Sequence, residues 1–123
     1  MIRITLKGRI PSKKNSKIRT WRYIVSSKEY KKREDKNVLL LRTQVKPLRL
    51  NSELFITYQI RFPDARKTDL SNKVESINDM LVRYWLLEDD NWRIIKRMSV
   101  ESMWVDKDNP RAEIQIQFLD SVP

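Results

Sequence analysis

The sequence has no cysteine, no histidine and one glycine, Gly8, in 123 residues. Without cysteine there are no disulfides, thiolate nucleophiles or zinc–sulfur sites. Without histidine there is no imidazole base, no Ser-His-Asp triad and no histidine metal ligand. A single glycine excludes the glycine-rich phosphate loop and the dinucleotide fingerprint, which need several. No run approaches the ~18 consecutive apolar residues of a membrane-spanning helix. The opening Met1-Ile2-Arg3-Ile4-Thr5 is too polar for a signal peptide, so the expected address is cytoplasmic, with no membrane partner. Catalysis is left to carboxylates, lysines, tyrosines, hydroxyls or a metal held by oxygen. Such a donor set favours magnesium, calcium or manganese.

What is present is charge, unevenly placed. Lys and Arg number 26 against 16 Asp and Glu, a formal net charge of +10. Residues 1–50 carry 16 of the basic residues and only Glu29, Glu34 and Asp35 as acids; residues 51–123 carry ten basic residues and 13 acids. A basic half beside an acidic half points to a polyanion partner, because each phosphate contact releases condensed counterions. Aromatic residues among the charges favour nucleic acid over an acidic membrane surface. The length suits one domain, residues 1–123, and 40% hydrophobic content is enough to fill its core.

Three stretches alternate at period two, the mark of half-buried strands: Ile2, Ile4 and Leu6; Leu54, Ile56, Tyr58, Ile60 and Phe62; and Ala112, Ile114, Ile116 and Phe118. A less regular fourth strand is expected within residues 92–105. The turn-forming residues Asp106, Asn109 and Pro110 then predict a hairpin between it and the last strand. Residues 27–45 read as a helix that stops before Pro47. Residues 69–83 read as a second, with Asp69 as cap and Leu70, Val74, Ile77 and Leu81 on one face. Residues 8–25 read as a basic loop with a short extended piece near Val25. The expected fold class is α+β: a mixed sheet of about four strands covered by two helices.

The second helix carries the candidate chemistry. At 100° per residue, Asn72, Glu75 and Asp79 fall within about 60° of one another, opposite the apolar face. Glu75 and Asp79 are like charges one turn apart, which destabilises an isolated helix. Either Lys73 and Arg83 neutralise these acids on a solvated face, or a divalent cation does. The group Glu88-Asp89-Asp90 follows directly before a strand, so carboxylates from both segments can converge on one ion.

The string Asp69-Leu70-Ser71-Asn72 through Asp79, followed by Glu88-Asp89-Asp90-Asn91-Trp92, resembles the signature of the RusA family of Holliday-junction resolvases. The segments Pro11-Ser12-Lys13-Lys14-Asn15 and Ser26-Ser27-Lys28-Glu29-Tyr30 are similar to family features in the same order. The resemblance implies a dimeric, magnesium-dependent endonuclease, with manganese as an alternative ion, that cuts four-way DNA junctions. It implies catalytic roles for Asp69, Asp79 and Asp90, with Asp89 beside them as a further metal ligand. Two positions depart from the pattern: the family's second aspartate is Ser71 here, and its lysine is Glu75. Glu75 is read as the carboxylate that replaces the one missing at position 71, joining the other four acids as ligand and catalytic residue. The alternative is a degenerate site that binds DNA without cutting it.

Because these acids repel DNA, attraction must come from the basic half. Lys13, Lys14, Asn15, Lys17, Arg19 and Arg22 are the expected backbone contacts, with Lys28, Lys31, Lys32 and Lys73 after them. Trp21 or Tyr23 is a candidate for stacking on an unpaired base. A C2 homodimer would place two sites on symmetric arms of a junction. Trp85, Leu86 and Leu87 read equally as dimer interface or core.

Overall fold

The computed structural model describes residues 1–11, 17–19, 24–26 and 28–121. Along the chain run β1 (Ile2–Lys7), β2 (Lys17–Arg19), β3 (Ile24–Ser26), α1 (Lys28–Gln44), β4 (Leu54–Phe62), α2 (Leu70–Arg83), β5 (Ile95–Val105) and β6 (Arg111–Phe118). The three alternating segments are strands, and period-two burial makes them so. Ile4 and Leu6 of β1, Leu54, Ile56, Tyr58 and Ile60 of β4, and Ala112, Ile114 and Ile116 of β6 are all at most 2% exposed. Their alternate neighbours lie toward solvent. Within the basic loop, β2 and β3 pair antiparallel as a small separate ribbon.

The main sheet has the order β1-β6-β4-β5. Here the structure corrects the expected hairpin. β6 pairs antiparallel with β1 and β4, while β5 pairs only with β4, in parallel. The turn residues do reverse the chain, but β4 lies between the two strands they connect. Turn chemistry encodes a change of direction and not a neighbour. Asp106 N donates to Phe62 O at 2.8 Å, and Arg111 Nη1 donates to Asp106 Oδ2 at 2.9 Å, tying the crossing to the end of β4. The parallel β4–β5 pair needs a long crossover, and α2 supplies it. The lone glycine sits at φ 87, and its N–H donates to Pro110 O at 2.8 Å, closing the end of β1 on the start of β6.

Helix α1 packs against β1, where the Gln44 amide pairs with both backbone groups of Thr5, at 2.7 and 2.8 Å. The open edge of the sheet is thereby covered at one residue. Helix α2 buries Val74, Ile77, Met80 and Leu81 in the core. Leu86 and Leu87 are also fully buried, which settles them as core; Trp85 is half exposed, with the Arg49 guanidinium 4.7 Å from its ring centre.

Candidate active site

Helix α2 is enclosed on more sides than its apolar stripe foretold. Asn72, Lys73, Ser76 and Asn78 are buried along with the apolar residues, and Ser71 and Glu75 are exposed. Asn72 therefore does not share an exposed face with Glu75. The reason is that α2 packs against α1 and the sheet, with the segment that follows β1 reaching Lys73 at Ile10. Lys73 Nζ donates to Ile10 O at 2.7 Å. Burial pushes the Lys73 ammonium below its ordinary range, helped by the nearby Arg9, Arg33 and Arg66. Lys73 is thus removed from the surface on which a phosphate contact was expected.

The two cations that could have neutralised the acids of α2 are both engaged elsewhere. Lys73 holds Ile10, and Arg83 binds across to α1, donating to Glu34 at 2.5 Å and to Asp35.

Asp69 occupies the N-cap of α2 with extended geometry, φ −82 and ψ 126, yet its side chain makes no cap hydrogen bond. An exposed carboxylate at a cap position that does not cap leaves its oxygens toward solvent. Asp79 is half buried, with Oδ2 sealed from solvent. Asp90 lies near enough for the Asp79 charge to act on its carboxyl. Partial burial raises the Asp90 carboxyl above its usual value, and the neighbouring Asp89 and Asp79 raise it further. Asp89 is committed to its own turn: Oδ1 accepts from Asp90 N at 2.8 Å and Oδ2 from Asn91 Nδ2 at 2.8 Å, which lowers its pKa.

The five acids do not form one cage. Ten residues of helix separate Asp69 from Asp79, roughly 15 Å of rise, too far to share an ion. Among the described residues no three carboxylates come close enough to hold a metal together. Among these acids, Asp90 is the one whose carboxyl feels the charges of both its chain neighbour Asp89 and Asp79. A magnesium-like cation is typically held by one or two carboxylates, with substrate phosphates completing the shell.

Behind the pair lies a feature that the sequence pattern did not announce. Tyr58, fully buried in β4, donates its hydroxyl to Asn78 Oδ1 at 2.5 Å. Burial drives the tyrosine pKa far upward despite the Asn78 bond, and the Asp90 charge adds to the rise. A signal was present all the same: Asn78 stands four residues after Val74 and three before Leu81, a polar side chain inside the apolar stripe.

Of the expected DNA contacts, Lys28, Lys31 and Lys32 lie at the start of α1, with Lys31 and Lys32 exposed, and Lys17 and Arg19 lie in β2. Lys13, Lys14, Asn15, Arg22, Trp21 and Tyr23 lie outside the described residues. No helix among the described residues is long and apolar enough to cross a membrane.

A search of curated proteins returned no match. The family model described as endodeoxyribonuclease RusA matches residues 8–117, which takes in β2 through β5, β6 except Phe118, both helices and every acid of the candidate site. The chain belongs to the RusA family of endodeoxyribonucleases.

Proposed function

We propose that the protein is a divalent-metal-dependent endodeoxyribonuclease that resolves four-way DNA junctions by paired phosphodiester hydrolysis, acting as a homodimer. The observation that carries this reading is Asp90, whose partly buried carboxyl is raised further by the charges of Asp89 and Asp79. Carboxylates gathered against their mutual repulsion are what a bound cation relieves.

Asp79 and Asp90 would hold the cation, magnesium or manganese. When bound, it supplies positive charge against the charge developing on the phosphate and lowers the pKa of water. The chain's own residues do the rest. The Tyr58–Asn78 bond fixes the wall behind the two carboxylates. Asp89 shapes the turn that presents Asp90. Asp69 and Glu75, exposed on the same helix, complete the catalytic set against the bound strand. Lys28, Lys31 and Lys32, together with the basic residues of segment 13–22, bind the phosphate backbone and oppose its repulsion by the acids.

Incubation with a synthetic four-way junction in magnesium tests the reading, with matched linear duplex as control. Symmetric paired nicks in the junction alone are expected, from a protein that sediments near twice its 14.9 kDa chain mass. Tight junction binding without incision in magnesium or manganese would favour the binding-only reading, which Ser71 and Glu75 make the second choice.

A further inference from the structure

We propose that a groove beside Trp104 holds one unstacked nucleotide of the branched DNA, its base on the indole and its phosphate on Arg66 and Lys67. The inference rests on the nuclease reading above. It begins with a defect in the sheet. In the β4–β5 pairing, Ile60 is opposite Ser102 and Phe62 is opposite Val105, so Arg61 alone faces both Met103 and Trp104. A bulge in a parallel pair is rare, and bulges re-aim side chains near functional sites. Trp104 also has φ 72, a left-handed conformation that is strained for a bulky residue. The outcome of that strain is a tryptophan 69% exposed. Neither packing nor chain reversal calls for it.

The groove next to this ring is about 310 Å³, at the lower end of the ~300–1,000 Å³ of small-ligand clefts. It is lined by apolar Phe62, Leu70 and Val105, and by Arg66, Lys67 and Thr68. Asp64, also on the wall, is paired with Arg66 at 3.0 Å, which holds the guanidinium in place and offsets the one acid present. An exposed indole flanked by cations matches the two parts of a nucleotide, a π-face and a phosphate. Thr68 and Leu70 are the chain neighbours of Asp69, so a nucleotide seated here lies beside the exposed carboxylate at the start of α2.

The test places 2-aminopurine, unpaired, at the centre of a four-way junction and titrates it with the whole protein in EDTA. Binding of the wild type should quench the probe. Trp104→Ala should abolish the quench and weaken junction affinity about five- to 150-fold, the range of one base–aromatic stack. Trp104→Phe should keep most of both, and affinity for fully paired duplex should change less than about twofold in either variant. Trp104→Gly relieves the backbone strain, so it should unfold at a higher temperature than Trp104→Ala yet bind no better. Wild-type quench and affinity in Trp104→Ala would overturn the proposal. So would an equal loss on paired duplex, or a loss that coincides with dissociation of a dimer, which would mark a protein interface. A wild type that binds no junction would defeat the nuclease reading itself.

Discussion

Tyr58 and Asn78 meet across the β4–α2 interface in a buried hydrogen bond, one residue away from Asp79. The contact ties the central strand of the sheet to the helix bearing the candidate carboxylates. Removing the hydroxyl with Tyr58→Phe leaves a buried amide oxygen unsatisfied, at a cost of about 1–3 kcal/mol in urea denaturation. Tyr58→Phe with Asn78→Leu should cost less than the sum of the two single changes. The tyrosine pKa is raised above its ordinary 10.0, so the folded state keeps the proton longer than the unfolded one. Its contribution is therefore full below pH 10 and falls as the pH rises above it. Tyr58→Phe should flatten that alkaline loss.

Asp90 gives the opposite of a stabilising ion pair. Its carboxyl is raised above 3.8, so its contribution to stability is present below that pH and is lost as the pH rises through the folded-state value. At about pH 7 the ionised group opposes folding in the metal-free protein. Asp90→Asn should accordingly unfold at the same or a higher urea concentration at neutral pH, with the difference shrinking toward pH 3.8. Cleavage of the junction should meanwhile fall by roughly 100-fold or more, with binding intact or stronger. Near-normal cleavage would remove Asp90 from the proposed role.

Glu75 and Ser71 are the exposed pair on α2, one turn apart, at the two positions where the chain leaves the family pattern. If the glutamate stands in for the missing aspartate, Glu75→Gln should lose about tenfold or more in cleavage rate. Adding Ser71→Asp should restore part of it. A fully active Glu75→Gln would make the residue a solvated helix position.

Junction affinity should fall linearly in log–log form with salt. Neutralising Lys28, Lys31 and Lys32 should make the slope shallower by about one unit for each phosphate no longer bound, with little change in preference among sequences. A slope unaltered by the triple change would place the backbone-binding residues elsewhere.

Local pattern carried much of the fold. Ile4/Leu6, Leu54 through Ile60 and Ala112 through Ile116 announced their strands because period-two burial is written residue by residue. Strand partnership was not, since Asp106, Asn109 and Pro110 encode reversal while the pairing of β6 with β4 is decided by residues far apart in sequence, such as Ile56 and Ile116. The less regular β5 lies within the expected residues 92–105 and begins at Ile95, after a turn at 91–94 in which Ile94 N and Ile95 N both donate to Asn91 O. At the site, Asp79 and Asp90 were legible as acids, but which acids meet was not. Helical angle compares directions around the axis, so it left out of account the length of helix between Asp69 and Asp79. The burial of Lys73 was equally hidden, because the Ile10 carbonyl that accepts its hydrogen bond lies 63 residues earlier.

The place of β6 in the sheet bears on how the chain is synthesised. In the main sheet β1 is made before β4, but neither bonds the other; β4 can pair with β5, while β1 waits for β6. Until residue 118 has been made, the edges of β1 and β4 that β6 will fill stay open, and the helices have no continuous surface to pack on. Assembly of the four-stranded sheet during translation is thus deferred until β6 has been made. A nascent chain stalled before Ala112 would carry the full basic segment and all the candidate carboxylates, with no scaffold to hold them in register. Nuclease competence arrives late and all at once, when the last strand slides between two that were made long before it.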